Sequence, residues 1–299
     1  MRFPLNARAV WDRVNKPMMQ RRTFLGGVAA SGLSLPAWST GSGPTLGITL
    51  PLTGVQAEVA KELEVGYQLA TAQMGVELKV LDDQSVPSNV EKNVRELAAD
   101  PSVLALSGIV GTPHAEAGLA VASAAKLPVV GIRSGAQHLR TKFPEVFHLR
   151  ASYEDEIDKM VDYCRGAGVT KMAILFSEDS FGTTSRDHLI RRLNESNIEV
   201  ASSIGVDRNG ANIEAASKKT VDAMAGGFGA IALLLIVKPM ALAAHELRVK
   251  HKMTLPILAM SFTITKNIAS SKDEALSGLG LVSAFPLPRS GIGFRQQFR

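Results

Sequence analysis

Six histidines, one cysteine, an aspartate pair, an acidic triplet and a serine flanked by glycines could carry chemistry in this sequence. Each meets a spacing objection. The histidines (His114, His138, His148, His188, His245, His251) show no His-x-x-x-His pair, so a helix-borne zinc site is not expected. In Gly131-Ile-Arg-Ser-Gly135 the serine falls one place too late for a nucleophile elbow. Cys164 has no partner for a disulfide or a Cys-x-x-Cys site, and beside Tyr163 on a helical pattern it reads as a small core residue. Asp82-Asp83 follows an apolar run and could bind a metal, but such a pair reads more readily as a solvated strand end. Glu154, Asp155 and Glu156 follow Ser152, where a helix dipole favours negative charge, and Ser152-x-x-Asp155 has capping-box spacing. No glycine-rich phosphate loop or dinucleotide fingerprint is present, and no cofactor is expected.

Charge narrows the classes further. The chain has 299 residues and a formal charge of +5. Residues 1–39 contain six basic groups and one acid, so the whole excess lies there and the remainder is neutral. A neutral body lacks the electrostatic footprint of a nucleic-acid-binding protein. With 45% hydrophobic and 20% charged residues, the composition is that of a globular protein with room for about two domains.

The leading segment has its own pattern. A basic stretch runs into Gln20-Arg21-Arg22-Thr23-Phe24-Leu25, then a short glycine- and serine-rich apolar run, then Pro36-Ala37-Trp38-Ser39. The run is too short to span a membrane. Paired arginines before a weakly apolar run are the features of a twin-arginine export signal, so residues 1–39 are expected to be a Tat-type signal peptide and the body periplasmic.

From Thr45 onward, apolar runs alternate with helical spacing. Strands are expected at 46–52, 76–81, 103–110, 128–132, 172–176, 199–204, 231–237, 256–260 and 279–285. Helices are expected at 57–74, 89–99, 115–126, 153–166, 183–196, 213–224 and 239–250. Ser88 is placed to cap the second helix, and Asp100-Pro101 to end it. Continuous apolar strands alternating with helices predict α/β architecture, with parallel sheets covered on both faces. So many strands favour two doubly wound lobes over one sheet. No strict internal repeat is detectable.

In such sheets the loops after the strands hold ligands. They read Leu50-Pro51-Leu52-Thr53-Gly54, Gly111-Thr112-Pro113, Arg133-Ser134-Gly135-Ala136, Leu149-Arg150-Ala151-Ser152-Tyr153, Asp179-Ser180-Phe181-Gly182 and Ser261-Phe262. In this order and spacing, over residues 44–288, they resemble the periplasmic substrate-binding proteins of the branched-chain amino-acid ABC transporter family. The resemblance implies a type I periplasmic binding protein fold, with two lobes joined by a hinge and closing on a small solute. It places lobe one at 44–150 with 284–299 and lobe two at 151–283, with crossings near Leu149–Ala151 and Val282–Phe285. It implies that Thr112, Ser134, Gly135 and Ala136 hold the ligand's carboxylate or amide, and that Phe181 closes over it from a loop that also holds Asp179.

Two departures from the family bear on the ligand. Amino-acid-binding members carry an aromatic where Val237 stands, and an acidic clamp for the ammonium near Phe262. Ser261-Phe262-Thr263 supplies no acid. An unpaired buried ammonium is costly, so a carboxylate, amide or aromatic acid is expected in preference to an α-amino acid. The family's chains also continue beyond the position of Pro288, so lobe one is expected to be shortened here, with lower solubility or cooperativity for residues 40–299. The implied protein is a monomer without catalysis, metal or nucleic-acid partner, handing a small molecule to ABC permease subunits. A periplasmic sensor of the same fold, or an exported α/β enzyme, are the alternatives. Neighbouring permease genes would discriminate the first, and turnover of the ligand the second.

Overall fold

The computed structural model describes residues 43–284, apart from 73, 227 and 264. The expected export signal and the segment after Ala284 lie outside the described residues. The first half contains β1 (Thr45–Leu50), α1 (Ala57–Thr71), β2 (Glu77–Asp82), α2 (Pro87–Ala98), β3 (Val103–Ser107), α3 (Thr112–Ala124), β4 (Val129–Val130), α4 (Gln137–Lys142) and β5 (Val146–Phe147). The second contains α5 (Tyr153–Gly166), β6 (Lys171–Ser177), α6 (Ser180–Glu195), β7 (Glu199–Val206), α7 (Ile213–Ala223), β8 (Gly229–Leu234), α8 (Val237–His245), β9 (Ile257–Ala259), α9 (Lys266–Ala269) and β10 (Gly280–Leu281). No helix among the described residues is long and apolar enough to cross a membrane.

Two separate five-stranded sheets result, both wholly parallel. One has the order β2-β1-β3-β4-β5, the other β7-β6-β8-β9-β10. These are the same order, 2-1-3-4-5, used twice. Each sheet therefore has one switch point, between β1 and β3 and between β6 and β8, where successive connections leave in opposite directions and a crevice opens at the carboxyl ends. The central strands explain the burial. All six residues of β8 are buried, as are six of the seven in β6, which is why both read as unbroken apolar runs.

The helices are fixed by local chemistry and by one apolar face. α2 buries Val90, Asn93, Val94 and Leu97, an i, i+3, i+4, i+7 stripe. Ser88 does not cap it. The helix begins at Pro87, preceded by extended Val86, because proline's fixed φ suits the first helical position. α5 has the expected capping box: Asp155 N–H donates to Ser152 Oγ at 3.0 Å, and Ser152 N–H donates to Asp155 Oδ2 at 2.9 Å. Three further helices also begin earlier than periodicity suggested. Thr112, Phe181 and Val237 therefore stand in the first turns of α3, α6 and α8, not in loops. Cys164 is fully buried on α5, and burial lifts its thiol to a pKa of about 11, consistent with a core residue.

Asp83 is not solvated. It is fully buried, accepting from Ser85 N–H at 2.9 Å and from Thr49 Oγ1 at 3.3 Å, while Asn93 Nδ2 donates to Thr49. Its neighbour Asp82 faces outward and binds Thr53. The aspartate pair thus fastens the loop after β1 to the loop after β2.

Candidate functional site: a cleft between the two sheets

The carboxyl ends of both sheets meet at one cleft. A small cavity of about 30 Å³ lies there, lined from the first sheet by Gln56, Val59, Val110, Gly111, Thr112 and Arg133. From the other side it is lined by Tyr153, Phe181, Arg208, Ile236, Val237 and Phe262. It has room for about one water molecule. A larger cavity of about 450 Å³ adjoins it, lined by Leu63, Tyr67, Gly108, Gly131, Ile132, Arg133, Leu149, Arg150, Ser261, Phe262 and Ser283. Arg133 and Phe262 line both and form the partition between them.

Three aromatic rings make the cleft's apolar centre. Tyr153, Phe181 and Phe262 contact one another edge to face, with centroids 4.7–5.8 Å apart. This geometry suits the ring quadrupoles and holds the rings as a unit. Phe181 is aimed by its helix start, where Asp179 accepts from Gly182 N–H at 3.0 Å as N-cap. The Asp179 carboxylate also pairs with Arg208, which reaches across to Gln56 Oε1. Further hydrogen bonds join the two sides: Ser180 Oγ to Glu116 at 2.8 Å, Thr265 Oγ1 to Glu58 at 2.6 Å and Arg133 Nη2 to the Phe262 carbonyl at 3.1 Å.

The residues singled out from the sequence fall into two groups. Thr112, Phe181, Val237, Ser261 and Phe262 line the cavities. Ser134, Gly135, Ala136 and Asp179 sit directly behind them. Ser134 Oγ and Thr112 Oγ1 share a hydrogen bond at 2.9 Å, both fully buried, and Ser134 Oγ also accepts from Ala136 N–H. The Gly135 carbonyl accepts from Tyr153 N–H at 2.8 Å, locking the aromatic cluster to the first sheet.

Sequence reasoning singled out Asp179 but missed the other charged groups. Glu156 stands in the first turn of α5 as expected, but the first-turn reading did not foresee its partners. It is buried, paired with Arg150, and accepts from both Ser261 N–H (2.8 Å) and Ser261 Oγ (2.9 Å). Burial pushes its pKa up, and Arg150 and Ser261 oppose that. An acid does therefore stand at Ser261, although the local window contains none, and its charge is already met by Arg150. Arg133, Arg208 and Gln56 are the other cleft residues that spacing did not reveal. Their only signal was position, just after β4, β7 and β1.

His114, on α3 behind Thr112, is fully buried; its ring nitrogens have no side-chain hydrogen-bond partner among the described residues, and the Ser85 backbone is the polar group that favours its charged form. Burial first, and then the Arg208 charge, lower its pKa to about 4, while burial raises Asp83 to about 6. The consequences for stability have opposite signs. The Asp83 carboxyl holds its proton longer when folded, so its contribution falls as pH rises from about 4 to 6. Unfolded histidine takes up a proton near pH 6.5, so the His114 contribution grows as pH rises from about 4 to 6.5. Each change is about 3 kcal/mol, and they mask one another in the native protein. Relative to wild type, Asp83→Asn is expected to gain stability between pH 4.5 and 7, and His114→Gln to lose it. Urea unfolding at both pH values checks this, and parallel pH profiles for all three proteins would contradict it.

Two like-wound parallel-sheet lobes facing across a lined cleft define a two-lobed α/β binding protein. A family model described as periplasmic binding protein matches residues 44–290, and the chain belongs to that family. A substrate-binding periplasmic protein from Ralstonia solanacearum is similar at 29% identity and a TM-score of 0.67, covering 73% of this chain and 64% of its own. The chain thus spans somewhat less than two thirds of that relative's length. A possible leucine/isoleucine/valine-binding protein from Rhodopirellula baltica SH 1 has 22% identity and a TM-score of 0.72, over 87% of this chain and 74% of that one. A solute-binding protein of an ABC transporter from Rhodopseudomonas palustris BisB5, in complex with 3,4-dihydroxybenzoic acid, has 18% identity and a TM-score of 0.71, over 79% and 66%. The last two share the fold. A search of curated proteins gives no match.

Proposed function

We propose that the chain is the periplasmic solute-binding component of an ABC importer, exported through the twin-arginine-type segment at residues 1–39. A small solute is captured between lobe one (44–150 with 284–299) and lobe two (151–283), which hinge near Leu149–Ala151 and Val282–Phe285. The closed, loaded protein docks on the permease subunits and releases the solute unchanged. The observation that carries this reading is the cleft itself. Gln56 and Thr112 from one side and Phe181, Arg208 and Val237 from the other line its small cavity, and Tyr67 and Arg133 face Ser261 and Phe262 across the adjoining cavity of about 450 Å³, which has room for a small solute. A solute touching both sides favours the closed state by its contacts there, which is how binding becomes closure. Gln56–Arg208 and Glu116–Ser180 are bonds that opening would break.

Thermal unfolding of the full chain against carboxylates, amides, aromatic acids and branched-chain amino acids tests the reading. A solute at 100 times its dissociation constant is expected to add about 2.7 kcal/mol to native stability. A cooperative melt that no class of small molecule shifts would contradict it.

A further inference from the structure

Three arginines line the two cavities, and their charges are not met alike. Arg150 is paired with Glu156, and Arg208 with Asp179. Arg133 donates to the Phe262 carbonyl at 3.1 Å, and no carboxylate among the described residues lies within ion-pair distance of it. Glu62 and Glu156 act on it only from farther away, and both already accept hydrogen bonds elsewhere. Burial, and then the neighbouring Arg150, pull the Arg133 pKa below the ordinary guanidinium range. The group remains a cation in a setting that does not neutralise it. It stands at the partition, where a molecule in either cavity meets it.

We propose that Arg133 sets the solute class: the cleft takes an organic monocarboxylate with an apolar body and no α-ammonium group, its carboxylate paired to the Arg133 guanidinium. This rests on the solute-binding reading above. The charge count decides the sign and the number. One unmatched cation is satisfied by one anion, and a second negative charge would itself be buried without a partner. A neutral amide would leave the guanidinium uncompensated, and an ammonium would find no unspent acid. Geometry favours carboxylate. One guanidinium N–H is committed to Phe262, and the planar fork has further donors for two charge-assisted bonds. The walls supply the apolar requirement: Leu63, Ile132, Leu149 and Phe262 line the larger cavity together with Arg133.

Titration calorimetry of the full chain with benzoate and hexanoate, their neutral amides benzamide and hexanamide, and leucine tests the assignment. At least one acid is expected to bind 100-fold or more tighter than its amide and than leucine. Arg133→Gln is expected to weaken the acid at least 100-fold and to erase its advantage over the amide. Arg133→Lys is expected to keep the preference for acid at reduced affinity, and circular-dichroism melts of both variants report that they fold. An amide or leucine that binds wild type as tightly as the acids, with Arg133→Gln unchanged, overturns the assignment and leaves solute binding standing. No binding by any acid, amide or amino acid, here and in the thermal panel, overturns the solute-binding reading and this assignment with it.

Discussion

Glu156→Gln is expected to lower the stability of the protein by about 3–5 kcal/mol, the cost of leaving one partner of a buried ion pair unmatched. The side chains of Arg150 and Glu156 are only 5% and 1% exposed, so water cannot take over the lost charge. The pair also ties three loops together. Arg150 donates to the carbonyl of Arg133 at 2.7 Å, to the carbonyl of Ala151 at 3.1 Å and to Ser261 Oγ at 3.2 Å. Glutamine keeps the shape and one acceptor but removes the charge and reverses one hydrogen bond to Ser261. Urea unfolding measures the loss. The double variant Arg150→Met/Glu156→Leu is expected to recover most of it, since well-packed apolar groups often replace a buried pair without loss. A Glu156→Gln protein within about 1 kcal/mol of wild type would mean that the pair is hydrated in solution.

Gly182→Ala is the second large effect, about 3 kcal/mol, because the added methyl group has no room to rotate away. A Cβ at Gly182 would press on the Ser177 carbonyl oxygen and approach the Ser177 backbone nitrogen to 2.6 Å. Both are backbone atoms of β6, a central strand, and cannot be moved cheaply. Relief would have to come from α6, whose first turn carries Phe181 into the aromatic cluster. The substitution is therefore expected to weaken solute binding as well as lower the urea midpoint. Unchanged stability and affinity together would show that α6 is free to slide.

How legible this was from sequence depended on the length of each element. β8 and all of β6 after Lys171 are buried, and unbroken apolar runs marked them. β5 has two residues and α4 six, too few to show a period, and both read as loop. The repeated strand order left no sequence repeat, because a doubly wound lobe demands apolar strands in sequence and little else. At the site, position was legible and pairing was not. Ser261 and Phe262 were found from their loop, while the acid on Ser261 comes from Glu156, 105 residues earlier in the chain. Asp83 shows the same limit: beside Asp82 it looked like a wet strand end, and only the packing of Thr49 and Asn93 reveals it as a buried carboxyl.

The central claim is stoichiometric capture of one organic solute between the two sheets. Titration calorimetry with the solute that most raises the melting temperature, followed by chemical analysis of the dissociated ligand, tests it most directly. One site per chain and a ligand returned unchanged are the predicted result. A ligand that returns altered, or binding that survives both Arg133→Gln and Phe262→Ala undiminished, would place the chemistry somewhere other than this cleft.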